Sequence, residues 1–149
     1  VSSPNFGLAE QVRDPWGGGC VSISGPANQA ARDWYRENKI PVIAYASLAH
    51  GLLSGKVKSA GQEKAGEILD EFAMRGYACP ENFERLRRCE ELAETKNCAV
   101  SQIAMAWIFQ QELNTLAVVG TSNASRMKAN IEAMHIGLSK EEAAYLDLQ

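Results

Sequence analysis

The chain has 149 residues, 46% of them apolar and 22% charged, and a net charge of −3. Such a composition suits one globular domain with its own core. It lacks the long basic run of a nucleic-acid binder and any apolar stretch near the roughly 20 residues of a membrane helix.

The opening residues, VSSPNFGLAEQ, have no basic region leading into an apolar core, so no secretory leader is expected in them. Residues 1–3 read as the end of a strand, and residues 4–25, with their WGGG run, as a long loop. PANQAARDWYRENK then reads as a helix. Pro26 suits its first turn, and Ala27, Ala30, Ala31, Trp34 and Tyr35 fall at helical spacing. PVIAY, residues 41–45, is the clearest strand, and residues 46–58 form a second loop. A short helix is expected within the connection at 61–79.

After Pro80, ENFERLRRCEELAETKN places Phe83, Leu86, Cys89, Leu92 and Ala93 on one helical face. Its Glu and Arg residues then form a solvated, charge-paired face. SQIAMAWIFQQE is apolar almost all round, which predicts a deeply packed helix with Ser101 as N-cap. TLAVVG, residues 115–120, is the last strand. Two helices follow, from Asn123 and from Ser139, the second with Glu142 placed for a capping box. Strands alternating with helices predict a parallel α/β sheet. Continuous apolar runs in place of polar–apolar alternation predict strands buried on both faces.

Four cysteines, Cys20, Cys79, Cys89 and Cys98, form no C-x-x-C pair and have no adjacent histidine. No metal site is expected; reduced thiols of a cytoplasmic protein are.

VVGTSNASRMKAN, residues 118–130, carries the sharpest chemistry. An apolar run stops at Gly120, two hydroxyls and an amide follow, and a helix begins with Arg126 in its first turns. Unpaired N–H groups and the helix dipole favour an anion at such a break, and a nearby arginine adds a forked, charge-assisted bond.

In order along the chain stand SSPNFGLAEQ, then PVIAYASLAHGLLSGK, then VSQIAMAWIFQQ followed by AVVGTSNASRMKANIEA and LSKEEAAYLD. The set resembles the C-terminal half of an aldo-keto reductase, from about Val1 to Asp147. The resemblance implies an eight-stranded parallel (β/α)8 TIM barrel that uses NADPH to reduce carbonyls. Residues 1–149 would be a single half-barrel holding strands six (1–3), seven (42–45) and eight (117–119) and the helices after them. It implies that Tyr45 stacks on the nicotinamide. Ala46, Ser47, Leu48 and Gly51, with Lys56 closing the segment, would lie along the pyrophosphate. Gly120, Thr121 and Ser122 would meet the adenosine 2′-phosphate, with Arg126 at that end and Asn130 facing the adenine. Asn130 lies four residues beyond Arg126, on the same helical face. Gly51 would let the backbone approach a phosphate where a Cβ would obstruct it.

Ser3 stands where many members carry a carboxamide-binding glutamine, and Gly120 where some carry lysine. The family's aspartate, tyrosine, lysine and histidine come from its first four strands, to which nothing here corresponds. Tyr45, Lys56 and His50 do not fill those roles, and His50 reads as a solvent-facing loop residue. The expectation is a fragment, inactive alone, that needs a missing N-terminal half or another chain to cover its strand edges. No nucleic acid, membrane or metal partner is expected. The alternative is a non-catalytic half-barrel module with a structural or nucleotide-sensing role.

Overall fold

A computed structural model describes residues 1–149. Two strands form its sheet. Strand β1, Val42–Ala44, pairs in parallel with β2, Thr115–Ala117, with Ile43 opposite Leu116. Seven α-helices accompany them: α1 (Gln29–Glu37), α2 (Ala65–Ile68), α3 (Glu71–Tyr77), α4 (Pro80–Thr95), α5 (Val100–Gln110), α6 (Ala124–Glu132) and α7 (Lys140–Leu146). None is long and apolar enough to cross a membrane.

The expected strand at residues 1–3 is reduced to bridging contacts. Ser2 accepts from the Ile43 amide at 2.8 Å and donates to Pro41 O at 2.9 Å, in parallel with β1. A second parallel bridge joins Asn5 to Tyr45, and a third joins Asn5 to Ser22. Part of the long loop therefore folds back along the outer edge of the first segment: the Asn5 amide donates to Val21 O and the Ile23 amide to Asn5 O. Beyond β2 no strand follows. The last strand is also shorter than its sequence run, ending at Ala117 with one further bond from the Val118 amide to Ala44 O.

The sheet is covered on one face only. Val42 and Ala44 are fully buried against helices, whereas Leu116 is 56% and Val118 50% exposed. The expectation of burial on both faces fails there, because no element of this chain packs over that side. Parallel sheets are ordinarily covered on both faces.

Local rules hold where the partners are local. Asn123 caps α6, its Oδ1 accepting from the Arg126 amide at 3.1 Å. Ser139 and Glu142 form the capping box of α7. Helix α5 is buried from Val100 to Ile108 apart from Ser101, and Trp107 packs on Phe6 with ring centroids 5.7 Å apart. Its cap is not Ser101. The cap position is Ala99, two residues earlier, where the Gln102 side chain turns back to accept from the Ala99 amide at 2.9 Å.

The stripe foreseen on α1 is displaced. Ala27, Ala30 and Trp34 are exposed, and the one buried residue is Arg32, whose guanidinium donates to Ile23 O and Gly25 O at 2.7 and 2.6 Å. Helix α4 buries Leu86, Cys89 and Ala93 as its spacing implies, and also Asn82 and Arg85. Asn82 ties α4 to the first long loop, accepting from the Glu10 amide and donating to Glu10 O and Tyr77 O. Arg85 pairs with Asp147 at 3.4 Å. Burial raises the Asp147 carboxyl above its usual range despite Arg85 and Arg32 nearby. On the outer face of α4, Glu84 bonds to Arg87 and Arg88, which hold its carboxyl down at about 2.

Candidate functional site

The turn that leaves β1 runs against ordinary backbone preference. Ala46, Ala49 and His50 take φ of 55°, 51° and 51°, and Gly51 follows at 103°. Left-handed non-glycine residues cost about 1–3 kcal/mol each and persist where packing over-determines them. Here Ala49, Leu52 and Leu53 are fully buried beneath the turn and fix it. Gly51 is required by that φ; a Cβ there would have room, 3.7 Å from the Leu69 side chain.

This turn faces the break between β2 and α6 across a cavity of about 380 Å³. Leu48, Gly51 and Lys56 line it from one side, and Gly120, Thr121, Arg126 and Asn130 from the other. Residues from two loops some seventy positions apart thus converge on one cavity. The remaining foreseen residues lie elsewhere. Ser47 is buried with its hydroxyl 3.5 Å from Ala44 O, Ser122 is exposed, and Ala46 is half-buried outside the lining. Tyr45 sits at the end of β1, apart from the cavity.

The lining also includes His50, Ser54, Ile68, Leu69, Asp70, Ser101 and Ala129, none of which was foreseen. Ser101 had been spent on a cap. The link between α2 and α3 folds back over the turn, which only tertiary packing decides. One local signal was available: Asp70 precedes a helix, and its side chain accepts from the Ala73 amide at 2.8 Å.

The cavity carries two cations in its lining against one carboxylate. Arg126 and Lys56 line it and neither makes an ion pair within the chain. The single carboxylate in the lining, Asp70, is held by the start of α3. The N-terminus of α6 opens on the same side. Two unpaired cations with hydroxyls from Thr121, Ser54 and Ser101 suit a phosphorylated ligand.

The end of β1 is built differently. Tyr45 Oη lies 2.6 Å from Cys20 Sγ, which also contacts the Gln11 amide group at 3.2 Å. Burial, then the Cys20 contact, pushes the Tyr45 phenol well above its ordinary range. Tyr77 is likewise raised by burial, its hydroxyl accepting from Asn5 Nδ2 at 2.7 Å. Trp16 lies 6.2 Å from the Tyr45 ring and 5.5 Å from His50, and His50 lies 5.9 Å from Tyr77. His50 is therefore half-buried among rings, not the solvent-facing residue expected. Burial raises the thiols of Cys79, Cys89 and Cys98, which leaves them poor nucleophiles. No group of three His, Cys, Asp or Glu side chains is placed to hold a metal ion.

A parallel sheet under helices, with a cation-lined cavity where its strands run into loops, defines an α/β protein. Comparison with known proteins gives the family. The Aldo/keto reductase family matches residues 27–148, and the chain belongs to it. It is 29% identical over 120 residues to L-glyceraldehyde 3-phosphate reductase of Escherichia coli O157:H7, covering 77% of this chain and 35% of that protein. It is 27% identical over 107 residues to the NADP(+) aldo-keto reductase yakc of Schizosaccharomyces pombe, covering 70% and 31%. The crystal structure of the thermostable aldo-keto reductase Tm1743, in complex with the inhibitor epalrestat, superposes with a TM-score of 0.60 at 19% identity, over 99% of this chain and 39% of that one. The chain thus spans about a third of the length of the proteins it matches.

Proposed function

We propose that the chain is the nucleotide-binding, C-terminal part of an NADPH-dependent carbonyl reductase, an incomplete (β/α)8 barrel. The observation that carries this reading is the pair of unpaired cations, Lys56 and Arg126, on opposite walls of one cavity. When bound, NADPH would supply the hydride that reduces the carbonyl. Arg126 and Thr121 would hold the 2′-phosphate, Asn130 the adenine, and Lys56 with the turn at Leu48 and Gly51 the pyrophosphate. Tyr45 would lie beside the nicotinamide.

The proton donor and the rest of the barrel would come from an N-terminal half packed over the open sheet face at Leu116 and Val118. That half would be the chain's partner. The four thiols, all free, suit a cytoplasmic setting. Calorimetric titration tests the reading. NADPH should bind to this chain, and the bound complex should show no steady reduction of an aldehyde, since general-acid catalysis worth about 10²–10⁴-fold is missing with the donor. Turnover by the chain alone, or no NADPH binding at all, would contradict it.

A further inference from the structure

We infer that Trp16 is a gate over the nicotinamide end of the site, which a dinucleotide must displace and an adenosine-only nucleotide need not. The inference rests on the nucleotide reading of the cavity and adds a residue that decides between ligands.

The indole stands between the cavity and the end of β1. It lies 5.5 Å from His50, which lines the cavity, and 6.2 Å from Tyr45, which does not. Phe72 closes the third side at 6.5 Å. A ligand lying in the cavity and continuing toward the strand end meets this ring. The adenosine end, around Arg126 and Asn130, is free of it.

The loop that carries Trp16 is tied to itself more than to its surroundings. The Asp14 carboxylate accepts from the Trp16 and Cys20 amides, both at 2.8 Å, and closes the loop as one unit. Gly17 and Gly19 take φ of 90° and 89°, and a Cβ at either would meet nothing within 4 Å. The tip is therefore unpacked, while its base is anchored by the Val12 amide on Gly76 O and by Arg75 on Pro15 O. Trp16 itself is 52% exposed, although a tryptophan side chain carries a large apolar surface. A half-exposed ring packed on other rings gives up about the energy of an aromatic pair when it swings out.

The cost of that displacement lowers dinucleotide affinity by the fraction of molecules already open. Two probes separate the gate from the cavity: NADP⁺, and adenosine 2′,5′-bisphosphate, which lacks the nicotinamide. With Trp34 replaced by Phe, emission comes from Trp16 and the buried Trp107. NADP⁺ should increase acrylamide quenching of that emission, and the bisphosphate should leave it unchanged. Trp16→Ala should tighten NADP⁺ binding about two- to tenfold and leave the bisphosphate constant unchanged. Quenching that falls on NADP⁺ binding, or weaker NADP⁺ binding by Trp16→Ala, would make the indole a clamp and overturn the gate. Unchanged NADP⁺ affinity in Trp16→Ala would overturn it as well. Failure of the bisphosphate to bind the parent chain would overturn the nucleotide reading beneath it, a result separate from the other two.

Discussion

In the cavity the chain leaves two cations unpaired: Arg126 and Lys56 stand on opposite walls with no carboxylate bonded to either. At the β1 end the side chains meet one another, although Trp16 stays 52% exposed. Tyr45 meets Cys20 through its hydroxyl and Trp16 through its ring, and Tyr77 meets Asn5. Solvation explains the contrast. Water stabilises an unpaired surface cation at little cost, so an anion site can stand ready and open. An aromatic surface exposed to water is unfavourable in proportion to its area, so the chain covers part of it with its own side chains. The proposed dinucleotide site is thus open at its charged end and partly filled by the chain's own rings at its aromatic end.

Both ends stand on one floor, and damage to it should not distinguish them. Leu52 is fully buried under the left-handed turn. Leu52→Ala should cost about 2–5 kcal/mol of stability by chemical denaturation. The same variant should weaken the bisphosphate and NADP⁺ together; loss of one alone would mean that the two ends are supported separately.

Within the open end, Asn130→Ala should weaken NADPH and NADH equally, since both carry adenine. One neutral hydrogen bond is worth about 0.5–1.5 kcal/mol. An effect on NADPH alone, measured by titration, would move Asn130 to the phosphate and redraw that end.

The closed end should respond to acid. The Cys20 amide, followed by those of Trp16, Gly17 and Gly18, holds the Asp14 carboxyl below its ordinary 3.8. A carboxylate lowered on folding stabilises the loop above pH 3.8, and that contribution disappears as pH falls through the lower folded value. Trp16 emission should shift in that window in the parent chain, and the shift should be absent in Asp14→Asn. A shift that persists in Asp14→Asn would assign the loop's closure to other groups.

How far the sequence reached depended on the range of each interaction. Asn123 and the Ser139–Glu142 box were legible because cap and capped amide lie three residues apart. The depth of α5 was legible because only a helix surrounded by protein can be apolar all round. Arg32 and Asn82 were not, since the carbonyls that justify their burial lie in the first long loop. Ser101 was misread as a cap because Gln102 performs that task from inside the helix. The open sheet face was misread for a different reason: apolar strands announce that a cover is needed, not that this chain provides it. At the site, the two loops that line the cavity were readable from their motifs, whereas Asp70 and Leu69 reach it, and Trp16 reaches the adjoining His50, through folding back of long connections.

The most direct measurement is the paired titration of the parent chain and Arg126→Ala with NADPH and NADH. Only NADPH carries a 2′-phosphate for the guanidinium, which makes no ion pair in this structure. The substitution should weaken NADPH by about 1.5–3 kcal/mol, roughly ten- to a hundredfold, and leave NADH unchanged. Equal losses for the two nucleotides would mean that Arg126 serves the helix and not a phosphate, and the residues from Gly120 to Asn130 would then be a capped turn and no more.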